Sequence, residues 1–255
     1  ADAFLADGVL HYADRRDLPA VEGTSRLSPH LKWGTIHPRQ LLARLGDSVG
    51  EETFRSELAW REFYADVLTD RPDSARAAYR PEMADLELDE GPEADERFAA
   101  WAEGRTGYPI VDAGMRQLVA EGWMHNRVRM IVASFLVKDL HIDWTRGARF
   151  FMEHLVDGDL ASNNHGWQWV AGTGTDASPY FRVFNPVTQS KKFDPAGEYL
   201  RRWIPEIAML PDRSIHCPWT EKSGPPAAYP GPMVDHGAER EEALRRYDQL
   251  KARRA

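Results

Sequence analysis

Apolar residues recur along this chain at helical spacing, and no convincing stretch alternates with the period of two that marks a strand. Pro38 opens PRQLLARL and Gly46 closes it, following the Pro-in, Gly-out asymmetry of a short helix. A longer helix is expected from about Glu51 to Asp70, stopped ahead of Pro72. Residues 72–106 are polar, acidic and interrupted by proline, and read as a connector with one short helix near Arg97–Glu103. Pro109 starts a helix through Ile110, Val111, Met115, Leu118 and Val119 that Gly122 closes. The strongest pattern runs from Met124 to Asp139, where Val128, Ile131, Val132, Phe135 and Leu136 form an apolar stripe. Asp143 or Thr145 can cap a helix ending near Asp157–Gly158, and another spans Leu160–Val170. The Pro-rich stretch Cys217–Pro232 reads as surface loop, and Glu239–Arg254 as a solvent-facing terminal helix. With no internal repeat, the pattern predicts one all-α domain of 255 residues.

Composition adds a puzzle. The formal net charge of −8 argues against a nucleic-acid partner, which wants a basic surface. Yet nine acids between Glu82 and Glu103 face Arg97 alone, so that segment carries the whole excess and the remainder is neutral. Of 32 basic residues 26 are Arg, the better side chain for bidentate phosphate and carboxylate contacts. Nine Trp is a high count for this length. Cys217 is the single cysteine, so no intramolecular disulfide or thiolate cluster can form, and a cytoplasmic location is expected. No run approaches the ~20 apolar residues of a membrane span, so no membrane partner is expected. The chain starts without Met and without a signal-peptide pattern, which leads us to expect a piece of a longer protein.

Several spacings can carry chemistry. Glu57, Trp60, Arg61 and Tyr64 fall at i, i+3, i+4 and i+7, on one helix face. They make either a solvent ion pair beside a core aromatic or a functional face. In GWMHNRVRM, Asn126 and Met130 are i, i+4, while Arg127 and Arg129 point elsewhere, with Asp157 and Asp159 as candidate counter-ions. A buried structural salt bridge explains these as well as a site does. Asp159, Asn163 and Trp167 form a stripe of acid, amide and indole, which suits a planar heteroaromatic ligand better than an apolar core. Thr24–Ser28 (TSRLS) is either a phosphate cradle or an ordinary helix cap. Gly172–Thr175 (GTGT) lacks the strand that a nucleotide fingerprint needs, and no G-x-S-x-G occurs. The nine His show no ligand spacing, so no metal is expected, and His141 and His154 read as helix-surface residues.

Longer blocks, in order, settle on a family. RDLPAVEGTSRLSPHL, ELAWREFY, GRTGYPIVDAGMRQL, GWMHNRVRMIVASFLVKDLHIDW, DGDLASNNHGWQWVAGTGTDASPYFR and FNPVTQSKKFDP extend from about Tyr12 to Trp219. In these the chain resembles the C-terminal, flavin-binding half of DNA photolyases of the photolyase/cryptochrome family. The resemblance implies a single helical FAD-binding domain over 1–255, with a 72–106 acidic connector, a 217–236 Pro-rich loop and a 237–255 terminal helix. The family's N-terminal α/β antenna domain, and so an antenna chromophore, is not expected on this chain.

Residue by residue, the resemblance implies that Tyr12, Thr24, Ser25, Arg26, Leu27 and Ser28 hold the phosphates and ribityl chain of FAD. Arg129 would pair with Asp157, Asp159 would lie against the flavin, and Asn163 would face its N5. Glu57 and Asn126 would hydrogen-bond the lesion, Trp60 and Trp169 would wall its pocket, and Met130 would lie beneath. Arg61 and Tyr64 join that surface, and Arg16 and Arg127 are candidate phosphate contacts. Asn126 and Met130 match the cyclobutane-dimer branch. Implied is a lyase that repairs cyclobutane pyrimidine dimers in UV-damaged DNA by light-driven electron transfer from reduced FAD. It would act as a monomer with no obligate protein partner. A cryptochrome-like photoreceptor without repair activity is the alternative. Trp167 and Trp144 match two of the family's three relay tryptophans. Residues 61–100 hold no Trp for the third place, which leaves Tyr79 or Trp101 as substitutes. His165 stands where the family usually has Gly, close to Asn163, and is expected to alter flavin behaviour.

Overall fold

Ser48 takes an N–H from Glu51 while Glu51 reaches back to the Ser48 N–H, and this capping box starts the longest helix, α1 (Val49–Asp70). The computed structural model describes residues 1–175, 182–222 and 224–253 and places no strand among them. Seven further helices of eight or more residues follow: α2 (Pro92–Ala102), α3 (Pro109–Glu121), α4 (Asn126–Ser134), α5 (Trp144–His154), α6 (Leu160–Ala171), α7 (Pro186–Phe193) and α8 (His236–Ala252). Asp143, Asp159, Asn185 and Asp235 cap α5, α6, α7 and α8 through their side chains. The all-α expectation holds.

The boundaries differ where local chemistry intervenes. α4 starts at Asn126, because the His125 side chain caps it, and passes after Ser134 into a buried π turn, Phe135–Asp139. α2 starts at Pro92, after Gly91 turns the chain at φ +85°. The PRQLLARL helix closes early, at Leu42. His141 is not on a helix surface. It is 3% exposed, at φ +54°, and its Nε2 meets Glu239 of α8 at 2.7 Å. The Pro-rich stretch is not all surface either, since buried Tyr229 donates to Asp112 Oδ2 at 2.5 Å. The last helix buries Ala243 and Leu250 against Met83 of the connector.

Two apolar cores matter for function. The larger joins α3, α4 with its π turn, α5 and α6, and contains Trp101, Phe135, Phe151 and Trp167. The smaller joins the N-terminal turns to the first half of α1 through Val9, Tyr12, Leu27, Leu41, Phe54 and Leu58. Close approach at glycine brings α5 and α6 together. A Cβ on Gly147 would lie 2.2 Å from Cη2 of Trp167, so the indole rests directly on the α5 backbone.

Gly147→Ala is therefore expected to overpack this contact at a cost of about 1–3 kcal/mol. That lowers Tm by about 2–4 °C per kcal/mol for a domain of this size, read by thermal denaturation alongside tryptophan fluorescence.

Candidate functional site

A cleft with two lobes runs between the cores. The outer lobe, about 1000 Å³ of space open to solvent, is lined by Tyr12, Thr24–Ser28, Glu57, Arg61 and Trp123. The inner lobe, about 610 Å³, is lined by Met130, Ala133, Phe151, Asn163, Gly166, Trp167 and Val170. Asn126, Arg129, Asp157, Asp159 and Ser162 line both, so the lobes are one continuous site.

The junction is electrostatic. The Arg129 guanidinium donates to Asp157 Oδ2 at 2.8 Å and Oδ1 at 3.1 Å, and its Nε donates to the Met124 carbonyl at 2.8 Å. The Asp157 side chain is almost wholly buried, and Arg129 is its ion-pair partner. At the outer rim, Arg26 sits at φ +49°, a strained backbone for a residue with a side chain. Its guanidinium lies 4.0 Å over the Trp123 ring and 3.3 Å from Glu121. Helix capping does not explain the Thr24–Ser28 hydroxyls: the Ser28–Lys32 helix has Leu27 at its cap position and no side-chain cap. Ser25 Oγ instead takes the Leu27 N–H at 3.3 Å, and the loop faces the cleft.

In the inner lobe, Asp159 caps α6 by accepting from Ser162 N at 2.9 Å. Asn163 donates from Nδ2 to Ala148 O at 3.0 Å and Asn164 Oδ1 at 2.8 Å. Both amide protons are thus spent within the protein, and the carbonyl oxygen remains to serve a ligand. Trp167 meets Phe151 edge-on at 5.0 Å and Trp101 at 6.1 Å. Burial pushes the Tyr12 hydroxyl up to about 12, so it stays a neutral donor beside the outer lobe.

The face Glu57–Tyr64 divides in space. Glu57 and Arg61 line the outer lobe, whereas Trp60 lines a separate groove and Tyr64 stacks on His165. Glu57 pairs with Arg16 at 2.6 Å, not with Arg61 one turn away, which takes Glu62 at 2.5 Å. Arg127 pairs with Asp17 at 2.8 Å, so both candidate phosphate contacts already hold carboxylates. Met130 lines the inner lobe, and Trp169 packs half-buried on the larger core. Trp144 lines another cleft, with Arg76, Met83 and Leu88. Trp101 is fully buried, its Nε1 donating to Val132 O, which denies it the solvent exit of a terminal relay residue. Tyr79 lies under the Arg71 guanidinium at 5.0 Å. His165 is 1% exposed and turns from the cleft: its ring nitrogens meet Ala161 O at 2.8 Å and Ser74 Oγ at 2.9 Å. Among the described residues no three His, Cys, Asp or Glu side chains gather as a metal site requires.

His125 is the residue that sequence reading missed, although a polar side chain just ahead of α4 is the signal of a cap. Its Nδ1 accepts the Arg127 N–H at 3.2 Å, which needs a neutral ring, and burial pushes its pKa down to about 4. A histidine pKa depressed below 6.5 contributes stability that is complete above that pH and lost as pH falls towards 4. We expect acidification to pH 4.5 to cost on the order of 2 kcal/mol through this group. In His125→Asn, which keeps an acceptor but does not titrate, denaturant melts at pH 7, 5.5 and 4.5 should show that slope removed.

A family model described as the FAD binding domain of DNA photolyase matches residues 54–249. The deoxyribodipyrimidine photo-lyase of Escherichia coli (strain K12) is 50% identical over 96% of this chain and 53% of its own length. That of Vibrio cholerae is 51% identical over 97% of this chain and 54% of its own. A class III photolyase from Agrobacterium tumefaciens aligns with a TM-score of 0.92 at 44% identity, covering 98% of this chain and 54% of that one. A cryptochrome from Synechocystis sp. PCC6803 aligns at 0.87 and 33% identity, covering 96% and 53%. The chain thus spans about half the length of the curated relatives it matches. With this match over most of its residues, the chain belongs to the family of the FAD-binding domain of DNA photolyases.

Proposed function

We propose that this chain is the catalytic part of a photolyase that repairs cyclobutane pyrimidine dimers in UV-damaged DNA in light. The observation that carries the reading is the two-lobed cleft, with phosphate-type donors in one lobe, the aromatics Phe151 and Trp167 in the other and an ion pair lining both. These donors fit FAD. Thr24–Ser28, with Arg26 among them, would hold its phosphates, Arg129 and Asp159 would lie where the lobes join, and Asn163 and Trp167 would meet the ring. Held there in reduced form, FAD would supply light-driven electron-transfer chemistry to the cyclobutane ring.

The protein's own part is reception and charge control. Asn126 offers one amide donor and one acceptor to the edge of a flipped pyrimidine. Glu57 accepts an imide N–H while Arg16, 2.6 Å behind it, offsets the carboxylate as negative charge grows on the substrate. Met130 and Trp60 supply apolar surface for a dimer out of the stack, where its distortion lowers a flipping cost of a few kcal/mol. Arg127 reaches phosphate by exchanging its carboxylate partner Asp17, so binding should weaken with salt. We further propose that the protein acts as a monomer in the cytoplasm; no helix among the described residues is long and apolar enough to cross a membrane.

The test is repair of a thymine-dimer oligonucleotide by FAD-loaded, reduced protein, in light and in dark. Cleavage should require light, Glu57→Ala should slow it about 10-fold or more, and Trp60→Ala should weaken substrate binding. Dark repair, or undiminished repair in both variants, contradicts the reading. A flavin-loaded protein that never repairs supports the photoreceptor reading instead.

A further inference from the structure

Outside the two-lobed cleft, four rings of α1 and α6 form a continuous ladder. His165 stacks on Tyr64 with centroids 5.4 Å apart and planes at 8°. Tyr64 stacks on Trp60 at 5.8 Å and 30°, and Trp60 meets Phe63 edge-to-face at 5.5 Å and 86°. The inner end is anchored, since both His165 ring nitrogens are held by Ala161 O and Ser74 Oγ. The outer end is open. Trp60 and Phe63 are each 41% exposed and wall, with Ser56, Ala59 and Thr175, a groove of about 740 Å³.

Two large aromatics at right angles in water, backed by an anchored stack, make a preorganised shelf. It adjoins the outer lobe along α1, since Glu57, one turn before Trp60, lines that lobe while Trp60 lines the groove. Its largest aliphatic side chain is Ala59, so it offers a π face and two hydroxyls instead of the branched aliphatic surface that a helix partner would fill. We propose that Phe63, with Trp60, forms an outer stacking site for the nucleobase that flanks the lesion in the same strand. Flipping the dimer strips that base of one stacking neighbour, and the shelf replaces it. Thr175 can donate or accept, and Ser56, whose hydroxyl donates to Glu52 O at 3.0 Å, can accept, so the site tolerates any base. This inference rests on the DNA-repair reading above.

The experiment uses the FAD-loaded chain and thymine-dimer oligonucleotides carrying 2-aminopurine next to the dimer or in the opposite strand. With wild type, the flanking probe should be quenched on binding. Phe63→Ala should abolish that quenching and weaken affinity about 5- to 20-fold, while repair at saturating DNA stays unchanged; Phe63→Tyr should keep both quenching and affinity. Affinity within twofold of wild type with quenching intact in Phe63→Ala overturns the proposal, as does quenching confined to the opposite strand. Failure of the wild type to bind dimer DNA at all overturns the repair reading beneath it, an outcome distinct from a selective effect of Phe63.

Discussion

The ion pair between Arg129 and Asp157 is the contact on which the site's geometry depends. It joins the first turn of α4 to the corner between α5 and α6, and both its residues line both lobes of the cleft. The corner is tied on other sides as well. The Val156 N–H donates to Gly122 O at 2.8 Å, and Trp33 Nε1 donates to Val156 O at 2.9 Å from the N-terminal segment. Removing one member of such a pair strands a buried charge, a loss of about 3–5 kcal/mol. Val156 and Asp157 together therefore couple the larger core, the end of α3 and the N-terminal layer around a single cavity.

Charge elsewhere is arranged to leave that cavity to its own pairs. The acids of the connector, which carry the chain's whole excess, are largely spent on arginines. Asp89 pairs with Arg246 and Arg97, Glu93 with Arg97, and Asp95 with Arg146. Arg246 belongs to α8, so the acidic connector is stapled to the terminal helix, beside the small Met83–Ala243–Leu250 cluster. A negative sequence total is thus compatible with a phosphate-binding face, because charge balance is local and screened beyond about 10 Å at 0.1 M salt.

How much was legible in the sequence follows from how local each determinant is. The helix starts at Ser48, Pro109, Asp143 and Asp159 are written in caps and prolines, and the stripe Asp159, Asn163, Trp167 does face one cavity. Asp157 as counter-ion to Arg129 was also within reach, since a charged group that opens an otherwise apolar helix needs a partner. What escaped were choices between partners far apart in the chain. Glu57 had an arginine at i+4 but took Arg16, 41 residues away. His141 looked solvent-facing until α8 covered it, and Tyr229 lay in a loop whose proline content hid its buried bond to Asp112. His165 shares a helix with Asn163, yet a rotation of two residues, about 200°, turns it to α1 and away from the cavity.

The central claim is that the two lobes act as one cofactor site joined at the ion pair that lines both. Its most direct test is a fluorescence titration of FAD into the chain and into Arg129→Met, with circular dichroism confirming that both are folded. The account predicts equimolar, strongly quenched flavin binding by the wild type and at least a tenfold loss in the variant. A folded wild-type chain that leaves FAD free, or a folded variant that binds it equally well, would contradict it.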